Sequence, residues 1–291
     1  MKKKDWISVF RDFSAKALKD CKDDELDKND LTYLMNRDIK NFADKQISEL
    51  NQSGGTKIVL NEVLTITYAS YVVMLETRNQ IWPYDFMSFS RRIGELWEPF
   101  CKLAFEYPVK QLKLVDPPEF KDFKNSEEIK MMKYIDSLKV NENQKNVLKE
   151  MYSVPWNLVD SGSIKMALDL HFSQDGVRYN CDFKSGFSSN EKGNTNRLLL
   201  VASVYKLLRT KEKTLLFVRQ KESENNHYLQ TLKNSGLWDV FCSDECYRKL
   251  REFTGADLRG WLDNNALWED DVTPAFYKHL KTNDLIKYLT W

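Results

Sequence analysis

IKMALDLHFSQDGVRYNCDFKSGF, residues 164–187, reads as two strand-like runs, 164–172 and 177–187, separated by SQDG. A short loop ending in Gly between such runs is a hairpin signal. With the turn centred between Gln174 and Asp175, antiparallel pairing sets Ala167 opposite Asp182 and Asp169 opposite Asn180, so Asp169 and Asp182 become diagonal neighbours. Side chains alternate across a strand, so Asp169, Asp182 and Lys184 share one face while Leu168, Leu170, Cys181 and Phe183 turn to the core.

Downstream of the hairpin, NRLLLVASVYKLL, TLLFVRQ, HYLQTLKNSG, WDVFC and DECYRKLREF alternate helix and strand. Upstream the chain reads as helix. Ile7, Phe10, Phe13, Ala17 and Leu18 recur at helical spacing, as do Leu31, Leu34, Ile39, Phe42 and Ile47. The apolar stretch 58–77 is long enough for a buried helix, and 86–107 places Phe89, Ile93, Leu96, Trp97, Phe100 and Ala104 on one broad face, with Pro99 expected to bend or break it. Residues 108–126 read as a connector, followed by helices near 127–138 and 142–152. The order predicts an α/β fold: a mixed central β-sheet flanked by helices, with a helical N-terminal region over 1–85, a core over 86–220 and an α/β continuation over 221–291, in one compact body.

Apolar residues make up 42% of the 291 residues and aromatics 13%, which excludes a disordered chain. Forty-four basic residues against 43 acidic ones leave no global field toward nucleic acid or an anionic membrane, so any DNA-binding surface is local. No apolar run approaches the length of a membrane span. Five cysteines without paired spacing fit a reducing cytoplasm, the expected location.

Two carboxylates and an ammonium crowded on one sheet face repel or desolvate one another unless a cation sits between the carboxylates. Mg²⁺ suits such a place, since it takes hard oxygen ligands and retains waters that a substrate phosphate can replace. Held there, it would lower the pKa of a bound water and neutralise charge developing on a phosphoryl group, with Lys184 orienting the water or stabilising that charge. The competing interpretation is the solvated face of an edge hairpin.

Asp169, twelve intervening residues and then Asp182-Phe183-Lys184 resemble the signature of the PD-(D/E)XK nucleases, and within them the type II restriction endonucleases. The resemblance extends upstream to RRIGELWEPF, where Gly94 and Glu98 match a helix whose Glu completes the metal site, and downstream to KSGFSSNEKGNTNRLLLVASVYKLL. It implies a restriction-endonuclease-like core over roughly 86–220, with Asp169, Asp182 and Glu98 holding Mg²⁺ and Lys184 assisting the attacking water. No Pro precedes Asp169. Asp160 competes with it for the first acidic position, and Glu95 competes with Glu98.

Lys192, Asn194, Asn196 and Arg197 open the helix after the hairpin, where backbone donors and basic side chains could meet a DNA phosphate, or where they serve only as cap and surface. Lys206, Arg209, Lys211 and Lys213 form a second basic run close to the candidate site. Arg259, Asn264 and Asn265 are residue types that read purines. His171 is a candidate base or a structural histidine, while Cys242, Cys246 and the C-terminal tryptophans read as core. The expectation is a type II restriction endonuclease acting on double-stranded DNA as a homodimer, because palindromic sites favour two-fold symmetry. The alternatives are a structure-selective repair or recombination nuclease and a non-catalytic DNA-binding protein with a nuclease-like fold.

Overall fold

Helix formation in the N-terminal third follows the apolar spacing. In the computed structural model, which describes all residues except 22–25, 53–58, 158–163, 189–190 and 209, α1 (Lys3–Asp20), α2 (Lys28–Gln52) and α3 (Leu60–Ile81) pack together. α3 is apolar almost all round and is correspondingly buried, from Val63 to Thr77. α4 (Phe86–Glu106) starts at a capping box: Asp85 accepts from the Ser88 backbone N–H at 2.8 Å and the Ser88 hydroxyl accepts from the Asp85 N–H at 3.1 Å. α4 runs unbroken through Pro99, against the expected break. Pro99 lies on the exposed side, so the carbonyl it leaves unpaired can meet water while buried residues from Phe89 to Phe105 hold the helix on both sides.

The expected connector holds more structure than its prolines suggest. It carries β1 (Lys113–Leu114) and the start of α5 (Phe120–Ser137), which leads to α6 (Glu142–Asn157). β2 (Leu170–Gln174) and β3 (Val177–Lys184) form the hairpin, both shorter than the runs read from sequence. The turn is Asp175-Gly176, with φ of 52° and 73°, the two positive values of a type I′ turn. That moves its centre one residue onward and slips the register by two: Leu170 pairs with Cys181 and His171 with Asn180. The ladder ends at the Leu170–Cys181 pair, so Asp169 precedes it and the expected diagonal pairing with Asp182 is not part of it. A slip of two preserves which face each paired residue takes.

After β3 come α7 (Lys192–Leu207), β4 (Glu212–Val218), α8 (His227–Asn234), β5 (Asp239–Cys242) and α9 (Asp244–Thr254). The sheet order is β1-β2-β3-β4-β5, antiparallel through β3 and parallel from β3 to β5, hence mixed. Cys181, Phe183, Leu215 and Phe217 face the main core, where Trp97 of α4 meets Phe183 edge-on. Leu216 and Val218 face Leu198 and Ala202 of α7 and Leu229 and Leu232 of α8. Leu168 departs from the expected pattern. It packs on the α7 side, because the ladder starts only at Leu170 and alternation does not extend to it.

Four further helical segments, α10 (Leu258–Asn265), α11 (Trp268–Asp271), α12 (Pro274–Thr282) and a 3₁₀ turn at Ile286–Leu289, close the chain against its beginning. Trp261 and Trp291 join Trp6 and Phe10 in the main core. Cys101, Cys181, Cys242 and Cys246 are free thiols, and among the described residues no helix is long and apolar enough to cross a membrane.

Candidate active site

The acidic site forms where β2 stops and β3 continues. Beyond Leu170 no backbone carbonyl of β2 reaches the Phe183 N–H, and the Asp169 carboxylate takes its place, accepting that N–H at 2.7 Å through Oδ2. Among the described residues its other oxygen takes no hydrogen bond. Asp182, on the α7 side of β3, is fully enclosed. Lys184 Nζ lies 2.5 Å from its Oδ1 and Arg197 of α7 places Nη2 3.2 Å from Oδ2.

Arg197 donates a hydrogen bond to Oδ2, and Lys184 sets its ammonium against Oδ1, so each carboxylate oxygen faces a cation. Burial pushes the Asp182 carboxyl up to about 6, the nearby Asp169 charge adds to this, and Lys184 and Arg197 oppose it. For Lys184 burial acts downward, but Asp182 and Asp169 outweigh it and the ammonium is held above its usual value. The pairing therefore dominates at Lys184, which retains some exposure, and burial dominates at Asp182, which has none.

The donor set fits Mg²⁺: two neighbouring carboxylates, of which Asp169 has one oxygen without a hydrogen bond among the described residues, beside an ammonium that Asp182 holds in place. Asp182 and Asp169 would hold the ion. The glutamates do not join them. Glu98 pairs with Lys102 at 3.2 Å and Glu95 with Arg91 at 2.7 Å, and neither contacts Asp169, Asp182 or Lys184. Among the described residues no three His, Cys, Asp or Glu side chains converge on one position. Asp160 lies outside the described residues. Gly94 nonetheless has the close approach its place in the helix suggests: a Cβ there would lie 2.7 Å from Ser185 Cβ, one residue past Lys184.

Other sequence candidates are placed differently. Arg197 is committed to Asp182 rather than free for a phosphate, and Asn194 bonds Glu191 at 3.0 Å, while Lys192 and Asn196 are exposed at the start of α7. Of the basic run, Lys211 and Lys213 are not near the site, and Arg209 lies outside the described residues. Lys211 and Lys213 flank Glu212, which is level with Arg178, six residues and roughly 20 Å along β3 from Lys184. His171 is structural: Nδ1 meets Asn180 Oδ1 at 2.8 Å and Nε2 accepts the Leu168 N–H at 2.9 Å. Arg259, Asn264 and Asn265 bond Asp263 and nearby carbonyls of Trp291, Gly260 and Trp261. Sequence reading missed Arg219, a buried arginine directly after β4. Its one signal is a charge closing the apolar run TLLFV.

Comparison with protein-family models, with curated proteins and with solved structures finds no match.

Proposed function

We propose that this chain is a Mg²⁺-dependent endodeoxyribonuclease with a restriction-endonuclease-like core, a type II enzyme hydrolysing both strands of duplex DNA at a short sequence. The observation that supports it is the meeting of Asp169, Asp182 and Lys184 at the end of β3, with Asp182 fully buried. Asp182 and Asp169 bind the cation. When bound, Mg²⁺ supplies charge neutralisation at the phosphoryl oxygens and a more acidic water. Lys184, held by Asp182, presents its protons to the attacking oxygen or the phosphate, and Arg197 fixes the Asp182 carboxylate from the helix side. Two copies related by a dyad would meet the two strands of a palindromic site.

The test is digestion of long duplex DNA of known sequence with Mg²⁺. Discrete fragments are expected, with cleavage by Lys184→Ala down by at least about 10² at a temperature where circular dichroism shows the variant still folded. Undiminished cleavage by that variant overturns the assignment, and cutting confined to branched DNA replaces restriction with a structure-selective nuclease.

A second reading draws on the same triad. Asp182 already has two cations, as in a structural ion-pair cluster of a non-catalytic DNA-binding protein. That reading requires DNA binding with no cleavage in Mg²⁺ or Mn²⁺.

A further inference from the structure

Arg219 follows β4 immediately. Its backbone N–H donates to the Lys184 carbonyl at 2.9 Å, so it continues the β3–β4 pairing past the candidate site. By strand alternation its side chain lies on the α4 side, with Ser185, whereas Asp182 and Lys184 face α7. Nε donates to Ser185 Oγ at 3.0 Å and Nη1 to the Thr290 carbonyl at 2.8 Å. Both partners are neutral.

This guanidinium is 8% exposed, and among the described residues it has no carboxylate within ion-pair distance, although every other buried charged side chain, Asp182 and Asp271, has a countercharge. Burying an unpaired charge is costly, and burial here lowers the arginine's pKa although Tyr247 and Glu224 oppose it through space. The remaining nitrogen, Nη2, makes no hydrogen bond and is not sealed from solvent. A preoriented arginine with two nitrogens fixed on neutral partners, the third open and no ion pair is built to receive an anion. It stands at the carboxyl ends of parallel strands, where open α/β sheets bind their ligands.

We infer that Arg219 is a positioning residue that binds a non-bridging oxygen of a DNA phosphodiester next to the one attacked, so that the strand is gripped on both sides of the sheet edge, by Lys184 on one and Arg219 on the other. The inference rests on the nuclease reading. Gly94 belongs to the same arrangement: its missing side chain leaves room for Ser185, which aims Arg219.

The test is duplex-DNA binding in Ca²⁺, across a series of salt concentrations, by the full chain, Arg219→Gln and Arg219→Lys, with melting temperatures measured alongside. A lost phosphate contact lowers the slope of log K against log salt by about 1 and weakens binding about tenfold for Arg219→Gln, while Arg219→Lys retains the slope. A purely structural arginine shifts the melting temperature and leaves the slope alone, and that result overturns the inference. If Arg219→Gln does not fold, Arg219→Lys decides: it keeps the charge but not the Ser185-directed geometry, so affinity falls at least threefold, and wild-type affinity overturns the inference. Wild-type cleavage in Mg²⁺ with an unaltered Arg219→Gln slope defeats only the arginine's role; a wild type that neither binds nor cuts DNA defeats both.

Discussion

Asp182 carries the site's titration. It is fully enclosed and pushed up to about 6, by burial first and by Asp169 second. The cation-binding form is the carboxylate, so Mg²⁺-dependent cleavage is expected to rise with pH through about 6. Arg197→Gln removes a countercharge and should carry that acidic limb to higher pH; a limb that stays put in a pH–rate profile refutes the role given to Arg197. Stability runs the opposite way. A carboxyl whose folded value exceeds its ordinary 3.8 binds more protons when folded, so its contribution is complete below about 3.8 and is lost as pH rises through about 6, by up to about 3 kcal/mol. Urea unfolding without Mg²⁺ should therefore show wild type losing stability relative to Asp182→Asn between pH 4 and 6. Parallel pH profiles for the two proteins would mean Asp182 is not buried as charged.

At the scale of elements, α4 and the end of β3 meet through one missing side chain. A Cβ at Gly94 would stand 2.7 Å from Ser185 Cβ, a contact no rotamer change relieves, so Gly94→Ala should force the helix and strand apart and cost roughly 1–3 kcal/mol, read as a lower urea midpoint. Cleavage should fall further than stability does, since Ser185 adjoins Lys184 and holds Arg219. A variant as stable as wild type would show that the helix can yield at no cost. How much of this is legible in sequence follows from the range of each interaction. Asp-Gly flanked by alternating residues announces the hairpin, and since alternation has a period of two, Asp182, Lys184, Leu170 and Phe183 keep their faces although the register slips by two. Leu168 and Asp169 escape that rule because they precede the ladder. Asp169 turns to the Phe183 N–H instead, a detail set by where β2 ends. The Arg197–Asp182 pair is invisible locally, as it depends on how α7 crosses back over the sheet. Lys211 and Lys213 look close to the site in sequence, yet the same crossover carries them to the other end of the strands.

Over the whole molecule, the first helix is fastened to the last third of the chain by one buried carboxylate. Asp271, 2% exposed, receives Lys3 Nζ at 2.6 Å and the Tyr68 hydroxyl at 3.0 Å on Oδ2, and Arg11 donates to its backbone carbonyl at 2.7 Å. Arg11 also pairs with Glu76 of α3 at 2.7 Å. The Lys3–Asp271 pair bridges 268 residues of sequence, and Tyr68 joins Trp261 and Trp268 in an aromatic group beside it. Removing one partner of a buried pair leaves the other charged and unmatched, which for fully enclosed pairs costs about 3–5 kcal/mol. Lys3 is 17% exposed, so water can partly replace it, and Lys3→Met is expected to cost about 2–3 kcal/mol. Asp271→Asn should recover much of that loss in the double variant, because the stranded charge is what destabilises. A coupling energy near zero in the double-mutant cycle would show that the ends are held by their apolar packing alone. With the candidate site remote in sequence from both residues, Lys3→Met should lower the unfolding midpoint while leaving the pH–rate profile of cleavage in place. A displaced acidic limb in that variant would instead tie the closure of the chain to the environment of Asp182.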